Sequence, residues 1–372
     1  MRQPFLLVIV SLVFLVACSK SSGKSSTSVT SSDSAKYVSV SYAGSSLISP
    51  PSALGFTIAA SSGSKMVIAG AEDYANNYTF NDSAYMYDTV TRQWSNFKLS
   101  APHAYGAAVA CNGKIFLAGG FDSNDRSLSV TAAVDIYDVS TGQWTTAQLS
   151  QARAFIAAAG AGNTVIFAGG SLSSAVDIYD MSTNQWSTGS LSVPRTSLSG
   201  AAAGTKIVFA GGYADNAISS VADIYDVTTK LWSTANLSVP RTSPAAAAAG
   251  NKILFVGGGG DDVLSSVVDI YDVSTGQWTA STQNGMGHRY SSALSSGNMI
   301  LFAGGQIAIE TGSDETVPYL NIDVYNVTTG DWGYTALHTQ NSAVLGAAIG
   351  NQVLLTYSPG NPVDSLGIYL LQ

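Results

Sequence analysis

Basic residues recur at one place in a repeating frame: His103, Arg153, Arg195, Arg241 and Arg289. Each stands shortly before an Ala- or Ser-rich segment. Hydroxyl and aromatic residues accompany them, among them Tyr105, Phe155, Thr196, Ser197, Thr242, Ser243 and Tyr290. A guanidinium is a planar fork of N–H donors that matches a carboxylate through two hydrogen bonds. The candidate ligand-binding residues are therefore Arg153, Arg195, Arg241, Arg289, His103, Tyr290, Ser197 and Ser243. A second reading stays open. In it each arginine is structural, pairing with an aspartate of a neighbouring repeat or stacking on an aromatic ring. The aspartates Asp135, Asp177, Asp223, Asp269 and Asp323 repeat too regularly to form one site, and hydrogen bonding between repeats is expected of them.

Other chemistry-bearing residues are sparse. The histidines are His103, His288 and His338, and no nucleophile elbow, phosphate loop or zinc-ligand spacing occurs. The glycine run at 257–260 follows a strand but opens no helix, so it is no phosphate cradle. Glu72, Asp73, Asp122, Asp125, Asp215, Asp261, Asp262, Glu310, Asp314 and Glu315 make the loops acidic without the spacing of a calcium-binding loop. No catalytic residue, metal or cofactor is expected. The formal net charge is −8, and no basic stripe offers a surface to nucleic acid.

The elements that position these residues come from a repeat. Trp94, Trp144, Trp186, Trp232, Trp278 and Trp332 are spaced by 50, 42, 46, 46 and 54 residues. Such periods belong to propellers or solenoids. Each copy reads as four strands: an Ala-rich strand, a hydrophobic strand ending in Gly-Gly, a VDIYD strand, and a strand beginning at the Trp. Four-stranded sheets repeated around an axis make a β-propeller. The first strands would converge on that axis, where small side chains fit. Turns between strands 3 and 4 are uniform, with six residues from Asp138 to Trp144 and the same interval in the other copies. Loops between strands 2 and 3 vary in length, and they share a face with the connections that carry the basic residues. A rigid scaffold with variable loops on one face points to recognition there. The first two strands occur seven times, the last at 343–357, and a third strand follows at 365–371 with no Trp strand after it. The alternating segment 37–42 (YVSVSY) is expected to complete that last blade. Six blades with a loose C-terminal hairpin is the alternative.

Gly-Gly after a hydrophobic strand, Tyr-Asp at 137–138, 179–180, 225–226 and 271–272, and the Trp six residues later resemble the kelch-repeat family. The resemblance implies an all-β, kelch-type β-propeller, probed here as seven four-stranded blades over 37–372. Kelch propellers host binding modules and enzymes alike. In kelch-type binding domains, arginines at this motif position line the ligand cavity and take carboxylate-bearing peptides. A copper-radical oxidase of the galactose oxidase type would need an adjacent Tyr-His pair, which is missing, and Cys111 falls inside a strand. A sugar-processing propeller similar to sialate mutarotases needs only a few polar groups at the channel mouth. A binding module for a protein or glycan at the loop-rich face is the leading expectation, with the sugar enzyme and a ligand-free structural envelope protein as alternatives.

The N-terminus differs from the rest. Arg2 is followed by an apolar run at 5–17, too short to span a bilayer easily and suited to a signal-peptide core. Leu15-Val16-Ala17-Cys18 resembles the bacterial lipoprotein box. That resemblance implies cleavage after residue 17, a lipidated Cys18, and anchoring by several acyl chains. Residues 18–36 are Ser-rich and read as a flexible tether. Ser19 is not the Asp associated with inner-membrane retention, which favours the outer membrane in a cell that has one. With Cys18 lipidated, Cys111 has no disulfide partner.

Overall fold

The computed structural model describes residues 40–47, 54–55, 57–73, 79–122, 129–260, 264–282, 288–289, 292–308, 316–337, 343–357 and 365–371, all within the compact unit Tyr37–Gln372. The signal peptide at 1–17, Cys18, the tether and Tyr290 lie outside the described residues. Among the described residues are seven four-stranded antiparallel sheets and three smaller ones. The first strands of blades 1 to 7 are Ile58–Ser62, Ala107–Cys111, Ala157–Ala161, Ser199–Ala203, Ala245–Ala249, Ser292–Ser296 and Ala343–Ile349. Each lies beside the next, and Ala343–Ile349 returns to Ile58–Ser62, which closes the ring.

Closure is made by pairing the two ends of the chain. Ser365–Leu371 pairs with Gln352–Tyr357 on one side and with Val40–Leu47 on the other. The described closing strand, Val40–Leu47, begins within the YVSVSY segment expected to fill this place and runs five residues beyond it.

Packing explains the repeat pattern. The second strand of each blade is apolar on both faces because both faces meet a neighbouring blade. In blade 3, Val165 and Phe167 face a cluster shared with blade 2, while Ile166 and Ala168 face one shared with blade 4. All four are fully buried. Each repeat Tyr stands opposite its Trp across strands 3 and 4, as Tyr137 does with Trp144. Ring centroids in the six pairs are 4.9–5.1 Å apart. The Trp rings pack against the clusters between blades. At the 3–4 turns Asp138 accepts the Ser140 N–H at 2.9 Å, an Asx turn, and the Lys114 ammonium pairs with the same carboxylate. Those bonds hold Asp138 far below the usual carboxylate range.

The Gly-Gly step ties strand 2 to the loop-rich face. Gly170 has φ 89°, and a Cβ there would meet the Ala154 carbonyl oxygen at 2.6 Å. Its N–H donates to the Arg195 carbonyl at 2.8 Å. Only glycine combines that backbone with that approach.

Candidate functional site

The connections between blades build the mouth of the axial channel, and those entering blades 2 to 5 are each clamped at two points by one aspartate. In the connection entering blade 3, the Ser150 N–H donates to Asp177 Oδ1 at 2.7 Å, and the Arg153 guanidinium pairs with Asp177 Oδ2. Arg153 also donates to the Ala175 carbonyl. The same scheme repeats with Ser192, Arg195 and Asp223, and with Ser238, Arg241 and Asp269. In blade 2 His103 takes the cationic place: Nε2 faces Asp135 Oδ2 at 2.8 Å and Nδ1 faces the Gly119 carbonyl at 2.8 Å.

This corrects the ligand-donor expectation for His103, Arg153, Arg195 and Arg241. All four are at most 1 % exposed. The three guanidinium groups and the His103 ring nitrogens fix the connections from inside the blades. The reason is desolvation: a buried guanidinium is tolerated only when paired and hydrogen-bonded. Burial lowers the pKa of all three arginines from the ordinary value, and the neighbouring aspartate opposes that shift. The expectation that the regular aspartates serve inter-blade bonding holds for Asp135, Asp177, Asp223 and Asp269, each of which accepts a backbone N–H arriving from the preceding blade.

Arg289 differs from the other three arginines in its place in the repeat. The carbonyls of Arg153, Arg195, Arg241 and His288 each accept the second glycine N–H of a Gly-Gly step, so His288 occupies the repeat position. Arg289 stands one residue beyond it, half-buried, with Nε donating to Gln306 Oε1 at 3.1 Å. His288 makes a weaker version of the clamp. Its Nδ1 is 3.9 Å from Asp323 Oδ2, while the Tyr319 hydroxyl donates to Asp323 Oδ1 at 2.9 Å. Burial lowers the His288 pKa to about 4.

Two residues past each cation the chain forms a collar. Tyr105, Phe155, Ser197 and Ser243 hold this position in blades 2 to 5, with φ of 55°, 55°, 54° and 47°. Their backbones are linked in a belt. Phe155 N–H donates to Tyr105 O at 2.8 Å, Ser197 N–H to Phe155 O at 3.3 Å, and Ser243 N–H to Ser197 O at 2.8 Å. The Tyr105 N–H donates to the Thr57 hydroxyl at 2.9 Å. A left-handed backbone disfavours side chains with a Cβ by about 1–2 kcal/mol. The belt holds the strained conformation in place.

Ser197 and Ser243 are thus at the mouth, as expected, in company with two aromatic side chains. Phe155 is 42 % exposed and Tyr105 36 %. Their rings lie 5.4 Å apart between centroids. Phe121, directly after the Gly-Gly of blade 2, packs edge-on against Phe155 at 5.6 Å and stacks on Phe80 at 5.7 Å. Phe80 belongs to the loop hairpin of blade 1, opposite Glu72. The Tyr105 hydroxyl donates to Glu72 Oε2 at 3.2 Å. Burial pushes the Glu72 carboxyl up, an effect that the Tyr105 bond partly offsets. The repeat frame singles out Tyr105 and Phe155 but not Phe80 and Phe121. Of the residues that follow the Gly-Gly steps, Phe121 and Tyr213 are aromatic, while Ser171, Gly259 and Gln306 are not.

Below the collar the channel holds two cavities of about 360 Å³ each, one above the other. Ala, Gly and Ser from the first strands make most of their walls, including Ala107, Ala157, Gly200 and Ala246. Among the described residues, no group of three or more His, Cys, Asp or Glu is placed to hold a metal ion. Cys111 lies on a first strand, where its thiol donates to the Gly162 carbonyl and burial raises its pKa.

A search of the curated proteins found no match. Residues 106–305 match the family model described as the KLHDC2/KLHL20/DRC7 Kelch-repeats domain. Kelch repeats commonly act as protein-binding modules. The matched stretch takes in the clamped connections entering blades 3 to 5 and the Gly-Gly steps and Tyr–Trp pairs of blades 2 to 5, and on that ground the chain belongs to the kelch-repeat family.

Proposed function

We propose that this chain is a membrane-anchored, extracytoplasmic binding module that engages a protein or glycan through its loop-rich face. The observation that carries the binding reading is the aromatic platform of Phe80, Tyr105, Phe121 and Phe155. Two of its rings stand exposed on strained backbone where blades 4 and 5 have serine. An exposed aromatic cluster is costly to keep in water and is the usual anchor of a binding surface. Arg153, Arg195 and Arg241 have no part in this reading, because their charges are buried and paired. Cross-linking capture from the source cell envelope tests it, with the full-length chain and its Y105S/F155S variant as baits. A partner held by the first and lost from the folded variant supports the platform. A partner held equally by both moves the site elsewhere.

Anchoring rests on the apolar run at 5–17 and on Leu15-Val16-Ala17-Cys18. Metabolic labelling with a tagged palmitate tests it. Label incorporated by the native chain and lost from Cys18→Ser supports lipidation, and equal labelling of both overturns it.

A further inference from the structure

With Arg153 and Arg195 paired inside the blades, the charge left at the mouth of blades 1 to 4 among the described residues is acidic. Glu72 adjoins the Tyr105 hydroxyl. Asp122 follows Phe121 directly and is exposed, and its carboxylate takes the Ser129 hydroxyl. Asp215 is exposed at the tip of the blade 4 loop hairpin. The lysines Lys65, Lys114, Lys206 and Lys252 sit at the opposite end of the second strands, each paired with an aspartate, and Lys98, at the loop-side end of the outer strand of blade 1, pairs with Asp82 at 3.3 Å. The apolar surface continues past the rings along the same face. Leu172 is 51 % exposed in the short loop of blade 3, and Tyr213 is 36 % exposed beside Thr196 of the collar.

We propose that the platform of Phe80, Tyr105, Phe121 and Phe155, with Glu72 and Asp122 at its rim, docks a lysine- or arginine-bearing polypeptide segment. The proposal rests on the reading of the loop-rich face as a binding surface, and it reverses the ligand charge that the arginines announced. Charge complementarity selects the occupant. A cation is attracted to the face of an aromatic ring and to a carboxylate beside it, and both are here within one patch. Tyr105 and Phe155 supply exposed ring faces. Glu72 accepts the Tyr105 hydroxyl, and Asp122 is exposed directly after Phe121, whose ring packs on both Tyr105 and Phe155. An acidic segment would meet carboxylates with no free cation among the described residues of this patch. A purely apolar segment would leave the rim carboxylates without counter-charge.

The test uses the full-length chain and two labelled probes, a short peptide alternating Arg and Gly and its Glu-Gly counterpart, read by fluorescence anisotropy. The Arg peptide should bind and the Glu peptide should not. Raising salt from about 0.05 to about 0.5 M should weaken the complex. Y105S/F155S adopts residues that the chain itself carries at the same collar position, so folding should survive. It should lower affinity about tenfold or more, and Glu72→Gln by a smaller factor. Equal binding of both peptides, or unchanged affinity in folded Y105S/F155S, overturns the proposal. So does displacement of the Arg peptide by a neutral oligosaccharide but not by free poly-lysine. If neither peptide binds, yet envelope capture still depends on Tyr105 and Phe155, the binding function stands and the cationic ligand falls. If capture fails as well, both fall.

Discussion

Arg195 and Asp223 form an ion pair in which the side chains are 0 % and 3 % exposed, and it spans the junction between blades 3 and 4. Arg195 ends the outer strand of blade 3, and Asp223 lies on the third strand of blade 4. Arg195 donates further to the Gly211 and Val221 carbonyls, and Asp223 accepts the Ser192 N–H. Removing one member leaves a buried charge alone. Arg195→Ala is therefore expected to cost about 3–5 kcal/mol, and R195M/D223A clearly less. Denaturant unfolding of the wild type, both single variants and the double variant measures this. A loss below about 1 kcal/mol for Arg195→Ala would show that the pair is not the clamp described here.

Blade 6 carries the clamp in a weakened form, and this makes stability depend on pH. Burial sets the folded His288 pKa at about 4, below its unfolded value of about 6.5. A depressed histidine binds its proton more readily when unfolded. Its contribution to stability is whole above about pH 6.5 and declines as pH falls towards 4, by up to about 3 kcal/mol. Tyr319 stands where Ser219 and Ser265 cap their strands in blades 4 and 5. H288R/Y319S would rebuild the clamp of those blades around Asp323. Melting temperatures between pH 7 and 4.5 should fall less steeply for H288R/Y319S than for the wild type. Parallel curves would show that His288 is not the group responsible.

The fold was legible because its signals repeat. One Gly-Gly says little, but a Gly-Gly, a Tyr-Asp and a Trp in fixed order along the chain define a blade. Strand 2 needs apolar residues on both faces, so Val165–Ile166–Phe167 reads as a continuous run rather than an alternation. The site was less legible for two reasons. An arginine has the same letter whether it meets a ligand or an aspartate, and only burial decides. Asp177 was visible in the sequence, but its position opposite Arg153 depends on two strands and a connection folding together. The shift from Arg289 to His288 has the same origin. Both residues are basic, and the carbonyl bonded by Gly258 identifies which one holds the repeat position.

The collar predicts a separation of stability from binding. The Phe155 ring is 42 % exposed, and Ser197 and Ser243 take the same backbone conformation. Phe155→Ser should therefore change stability by no more than about 1 kcal/mol, through lost contacts with Tyr105 and Phe121. Phe167→Ala, in the fully buried second strand, should cost about 3–5 kcal/mol. Equilibrium unfolding of the two variants side by side gives the comparison. A Phe155→Ser loss as large as that of Phe167→Ala would make the exposed ring a structural element and remove the main support for the platform.

The closing strand predicts the behaviour of a shortened chain. Val40–Leu47 covers the outer edge of Ser365–Leu371 in antiparallel register, from Val40 opposite Leu371 to Leu47 opposite Ser365. Without it, that edge presents unpaired N–H and carbonyl groups, a template for pairing with another chain. Tyr369 on the uncovered strand is buried in the cluster between blades 6 and 7, so loosening the strand would also loosen that cluster. Deleting residues 37–47 should lower the melting temperature and produce dimers or larger species in size-exclusion chromatography. A synthetic peptide with the sequence of residues 40–47, VSYAGSSL, should restore the monomer when added in excess, because it can refill the edge. A deleted chain that stays monomeric with an unchanged melting temperature would mean that blade 7 is stable on three strands, and that the N-terminal strand decorates the ring rather than closing it.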